Sequence, residues 1–126
     1  MAELKFYRCN TCGNLFMVIN DSSAVPVCCG QPMKELKAGS TDAAVEKHVP
    51  AVTVEDGKID VVVGEVEHPM AEEHYIEWIA FNDSHKTVVK HLKPGDKPQA
   101  HFCTCGGEGG TVYAYCNLHG LWKAEV

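Results

Sequence analysis

The sequence predicts an all-β protein in two unequal parts: a small metal-stapled N-terminal domain over residues 1–37 and a seven-stranded β-sandwich over residues 38–126. Three observations predict it. In the larger part, short runs rich in Val, Ile, Thr and aromatic residues recur with turn signals between them, and the period of an amphipathic helix is hard to find. In the smaller part, Cys9, Cys12, Cys28 and Cys29 are crowded among too few apolar residues to bury a core unaided. Between them Ala38-Gly39-Ser40-Thr41-Asp42 is small and polar, as a linker would be.

Taken in order, Leu4 to Arg8 and Leu15 to Ile19 read as strands around the Cys9-Asn10-Thr11-Cys12-Gly13 turn, and Met33 to Leu36 as a third. Beyond the linker, strands are expected near Ala51–Val54, Lys58–Val63, His74–Phe81, Thr87–Leu92, Ala100–Cys103, Thr111–Tyr115 and Leu121–Ala124. Glu55-Asp56-Gly57-Lys58 has the residues of a hairpin turn, while Lys93-Pro94-Gly95-Asp96 and Gly106–Gly110 read as loops.

Charge is unevenly placed. Residues 1–37 hold four basic and three acidic side chains, and residues 38–126 hold seven and fourteen, out of a chain total of −6. An acidic main domain argues against nucleic acid as a partner. No run reaches the apolar length of a membrane span. Met1-Ala2-Glu3-Leu4-Lys5 leads directly into a strand-like segment without the order of a signal peptide, so a cytoplasmic location is expected. In a reducing compartment, clustered cysteines are more often metal ligands than disulfides.

Cys9-x-x-Cys12 with the adjacent pair Cys28-Cys29 supplies four thiolates, a set that selects zinc or iron. Neighbouring residues of an extended chain point to opposite sides. Both sulfurs therefore reach one metal only if the backbone bends at Val27-Cys28-Cys29-Gly30, where Gly30 supplies the freedom.

A second set consists of Cys116-Asn117-Leu118-His119 with His48, His68 and His74 upstream. If these converge they make one thiolate and four imidazoles. That exceeds the four ligands of structural zinc, and favours iron with a sixth position left for a small molecule. His68 precedes Pro69, which favours extended backbone. His85, His91 and His101 lack such an arrangement and read as ordinary surface histidines. Cys103 and Cys105 lie outside both sets and read as small apolar strand residues. Lys47, beside His48, puts a positive charge next to the centre. Glu46, in an extended segment, faces the same way as His48.

Glu46-Lys47-His48, Gly64-x-x-x-His68-Pro69-Met70, Glu73-His74-Tyr75-Ile76-Glu77-Trp78 and Cys116-Asn117-Leu118-His119-Gly120-Leu121-Trp122, with the four N-terminal cysteines, resemble desulfoferrodoxin, the two-iron class of superoxide reductase, over essentially the whole chain. The resemblance implies a desulforedoxin-like Fe(Cys)4 domain and an immunoglobulin-like sandwich. It also implies a ferrous iron with equatorial His48, His68, His74 and His119 and axial Cys116, which reduces superoxide to hydrogen peroxide. Lys47 would steer the anion and hold a proton-delivering water, and Glu46 would take the sixth position once the iron is ferric. No flavin or nicotinamide motif is present, so electrons would come from a small redox protein such as rubredoxin. The N-terminal iron would act as a relay or as a structural element at a homodimer interface. The competing readings are a non-catalytic iron electron-transfer protein and a zinc-stapled structural protein.

Overall fold

The computed structural model describes residues 3–104 and 109–126, and the chain divides into two compact units between Lys37 and Ala38. In the N-terminal unit β1 (Lys5–Arg8) is flanked antiparallel by β2 (Leu15–Val18) and β5 (Lys34–Glu35). A separate hairpin joins β3 (Val27–Cys28) to β4 (Gln31–Pro32). These last two strands were not expected from the sequence; two residues each, one of them proline, give no period to read. The small core consists of Tyr7, Cys9 and Met33, with Val18 and Cys28 packed against it. Cysteine sulfur thus supplies part of this small apolar cluster.

The second unit begins with one helical turn, α1 (Val45–His48), and continues with β6 (Pro50–Glu55), β7 (Lys58–Val63), β8 (Ile76–Asn82), β9 (Thr87–His91), β10 (Gln99–Cys103), β11 (Thr111–Cys116) and β12 (Gly120–Glu125). The strands form two antiparallel sheets, ordered β10-β7-β6 and β12-β11-β8-β9. This is the predicted seven-stranded sandwich. Ile59, Val61 and Val63 of β7 meet Ile79 and Phe81 of β8 and Val112, Ala114 and Cys116 of β11 in one core. The β6–β7 connection is the tight turn that Asp56-Gly57 predicts, with both residues at positive φ (50° and 75°) as a type I′ turn requires.

Alternation fails at one place that matters. Tyr115 pairs with Trp78 but Cys116 pairs with Ile76, so Glu77 is bulged out of the ladder. A bulge re-aims the strand that precedes it, and here it lets Ile76 join Ile79 and Phe81 in the core. β8 also begins later than the sequence suggests. His74, expected to begin this strand, lies two residues ahead of it in an isolated bridge to Ala71.

Glu46-Lys47-His48 also departs from expectation. The segment is helical rather than extended, with acidic Glu46 in its first turn and basic Lys47 and His48 in its last, as the helix dipole favours. Cys105 and most of the expected Gly106–Gly110 loop lie outside the described residues.

Candidate metal centres

The four N-terminal cysteines meet. Their sulfurs all lie within 4.8 Å of one another, and Cys12 Sγ and Cys28 Sγ are 3.5 Å apart. Four sulfurs on tetrahedral bonds of ~2.3 Å stand about 3.8 Å apart, so the set is sized for one ion. The adjacent pair is accommodated as the sequence requires: Cys29 and Gly30 both take positive φ (53° and 72°), forming the turn between β3 and β4.

The sulfurs are electrostatically unequal. Main-chain N–H groups of Cys12 and Thr11 hold the Cys9 thiol down at about 6. The neighbouring Cys12, Cys9 and Cys28 sulfurs push Cys29 up to about 12. Crowded sulfurs that cannot all ionise alone are the arrangement a cation resolves.

In the second unit His48, His68, His74 and Cys116 place one donor atom each within 4.8 Å of the others. His119 joins them, with Nδ1 3.1 Å from His48 Nε2 and 3.9 Å from Cys116 Sγ. The imidazoles form a square. Successive ring centroids from His48 to His68, His74, His119 and back are 4.6, 4.6, 5.1 and 4.9 Å apart, and the His48–His74 diagonal is 6.4 Å. Adjacent rings are nearly perpendicular, at 77° to 86°.

His48 and His68 are set by main-chain carbonyls. Their Nδ1–H groups donate to Ala44 O and Pro69 O, both at 2.7 Å, so each Nε2 carries a lone pair. Those two Nε2 atoms face each other at 3.1 Å. Two nitrogens at right angles on bonds of about 2.2 Å stand that far apart, close to ordinary metal–imidazole lengths. His74 Nε2 is buried with no hydrogen-bond partner, an orphan that a metal bond would satisfy. The donor set therefore fits a bound metal ion.

Burial favours the neutral, metal-binding form of three of the rings. It lowers the pKa values of His48 and His74 and brings His68 down to about 4. Cys116 is fully buried and its thiol is raised by that burial, while the N–H groups of Leu118 and His119 pull it back toward thiolate. Trp122 contacts two of these histidines, its ring tilted by 30° with its centroid 4.9 Å from that of His48 and its Nε1–H donating to His119 O at 3.1 Å. Its position in the sequence gave no hint of that double contact.

Lys47 and Glu46 are both exposed on α1. The Lys47 charge opposes protonation of both His48 and His74, and among the described residues its ammonium has no carboxylate partner. Residues two apart on a helical turn point about 200° apart, so Glu46 does not share a face with His48 as the extended reading supposed. His85, His91 and His101 are exposed and away from the centre, His101 pairing with Asp60 at 2.6 Å. Cys103 is an exposed residue at the end of β10.

An all-β chain with one tetrathiolate cluster and one cluster of four imidazoles and a thiol is a two-centre, non-haem metalloprotein. The chain belongs to the desulfoferrodoxin family: its family model matches residues 40–125 and that of the desulfoferrodoxin N-terminal domain matches residues 2–36. A desulfoferrodoxin of Syntrophotalea carbinolica is 47% identical over 126 residues, covering 99% of each chain. A superoxide reductase of Thermococcus kodakarensis is 37% identical over 105 residues, covering 69% of this chain and 91% of its own. The crystal structure of the superoxide reductase from Treponema pallidum superimposes with a TM-score of 0.80 at 31% identity, covering 98% of this chain and 99% of that one. The two clusters are consistent with the two iron centres of desulfoferrodoxins.

Proposed function

We propose that the protein is a superoxide reductase, adding one electron and two protons to superoxide to give hydrogen peroxide at the centre of His48, His68, His74, His119 and Cys116. One observation carries the reading: four imidazoles form a square beside a fully buried thiol, with the exposed Lys47, which has no carboxylate partner among the described residues, on the same helical turn as His48. The relatives named superoxide reductase support it. Iron held there supplies the electron by passing from ferrous to ferric.

The chain's own residues do the remainder. Lys47 offsets the acidic field of residues 38–126 and draws in an anion over the last few ångströms, where its charge outweighs carboxylates beyond a Debye length of about 8–10 Å. As an exposed ammonium it also holds water from which protons reach the product. Cys116 supplies an electron-rich sulfur, protected from bulk water by complete burial and held by the Leu118 and His119 N–H groups. Glu46 would approach the centre only if the α1 turn shifts, so Lys47 is the stronger candidate for a catalytic role.

Cys9, Cys12, Cys28 and Cys29 hold a second iron whose main contribution is to staple the N-terminal unit. Electrons come from a small redox protein of the rubredoxin kind, and the protein works in the cytoplasm as a homodimer. Rapid mixing of the reduced, iron-loaded protein with superoxide tests the assignment. Ferric–thiolate absorption should appear at a rate proportional to superoxide, and Cys116→Ser should abolish it. Superoxide decaying at its spontaneous rate with no absorption change would overturn the proposal.

A further inference from the structure

We infer that Asn117 is a positioning residue for His74, and that its side-chain amide sets how firmly the second centre holds its metal; the inference rests on the metal-centre reading above. Among the described residues the His74 ring makes no hydrogen bond, unlike His48 and His68, whose Nδ1 atoms are tied to carbonyls. Its direction must then come from its main chain. That chain is held on both sides of His74 by one residue. Asn117 Nδ2–H donates to Glu73 O at 3.1 Å, Tyr75 N–H donates to Asn117 Oδ1 at 2.9 Å, and Asn117 N–H donates to Tyr75 O at 3.2 Å. His74 itself exchanges both main-chain bonds with Ala71, at 3.0 and 3.1 Å, which closes the loop behind it.

Asn117 sits between Cys116 and His119. The amide therefore ties the ligand that comes from the loop before β8 to the turn that carries two other ligands. The tie needs a donor and an acceptor on a side chain of this length, which asparagine has and aspartate, serine and alanine lack. A loop-to-loop bond that served only the fold of the second unit would speed iron release without shifting the absorption of the iron that remains bound there. Because the N-terminal cluster resides in the same chain, it provides an internal reference.

The test is iron release to a chelator from the full-length ferric protein, each centre followed by its own visible absorption. In Asn117→Ala the second centre should lose iron about 10- to 100-fold faster, the scale on which partners of metal ligands act. Its absorption band should shift while the N-terminal band and release rate stay as in the parent. Asn117→Asp keeps the acceptor for Tyr75 N–H and loses the donor to Glu73 O, so it should fall between. Parental release from the second centre in either folded variant would overturn the inference, as would equal acceleration at both centres. A parent protein that holds no iron at the histidine set would instead overturn the site assignment.

Discussion

The Nε2 atoms of His48 and His68 face each other at 3.1 Å, while Nδ1 of each ring donates to a main-chain carbonyl 2.7 Å away. The carbonyls fix both tautomers, so two lone pairs converge on one point. The arrangement is favourable around a metal cation, while burial disfavours a positive charge on either ring.

This gives the metal-free protein a particular response to acid. Burial brings His68 to about 4 and lowers His48 and His74, whereas unfolded histidine titrates near ~6.5. Between those values the unfolded chain binds protons that the folded chain refuses. Stability is therefore complete above about pH 6.5 and is lost as pH falls toward 4, by about 3 kcal/mol for His68 alone. Denaturant midpoints of the metal-free protein should fall steadily from pH 7 to 4.5. A flat profile would show that the rings are not held neutral.

Gly64 seats the helical turn that carries Lys47. A Cβ there would stand 2.7 Å from Glu46 O and 2.8 Å from Val49 O, both main-chain atoms, and Val66 N–H already donates to Glu46 O at 2.8 Å. Gly64→Ala should therefore displace α1 at a cost of about 1–3 kcal/mol. Superoxide capture should slow as well, with the N-terminal absorption unchanged. Parental stability and capture rate together would mean that α1 yields freely.

Lys47→Ala removes the cation whose charge reaches the His48 and His74 rings. Bimolecular capture of superoxide should slow by roughly tenfold, within the usual range for electrostatic steering, and its dependence on ionic strength should weaken. Lys47→Arg should retain most of both. Rate constants for Lys47→Ala that match the parent at low and high salt would remove the steering role.

Cys9→Ser deletes the sulfur that main-chain N–H groups of Cys12 and Thr11 stabilise and that lies in the small N-terminal core. The N-terminal absorption should disappear and the unit should loosen. The first turnover with superoxide should be largely intact, since the second centre lies wholly within residues 38–126. Loss of the rapid phase would make the N-terminal iron an obligatory relay.

The four-cysteine cluster was legible from its spacing, whereas the histidine cluster was legible because the motifs around His48, His68, His74 and Cys116 resemble a known family. The sandwich was readable too, since β7 alternates cleanly and Asp56-Gly57 announces its turn. What escaped was geometry decided by tertiary contacts. One turn of helix at Val45–His48 is too short for a 3.6-residue period, and so Glu46 was placed on the wrong face. The bulge at Glu77 moved the start of β8 past His74, because pairing with β11 overrode the local preference for strand. Asn117 carried no signal of its own beyond standing between two ligands; its role depends on Glu73 and Tyr75, which only folding brings near.

The central claim is that the centre gives superoxide one electron rather than cycling it. Pulse radiolysis of the fully reduced protein, with superoxide limiting, measures this through the peroxide formed. Reduction predicts one hydrogen peroxide per superoxide, matched by one iron oxidised and no oxygen released. Half a peroxide per superoxide, with oxygen evolved and the iron returned to its starting state, would contradict it.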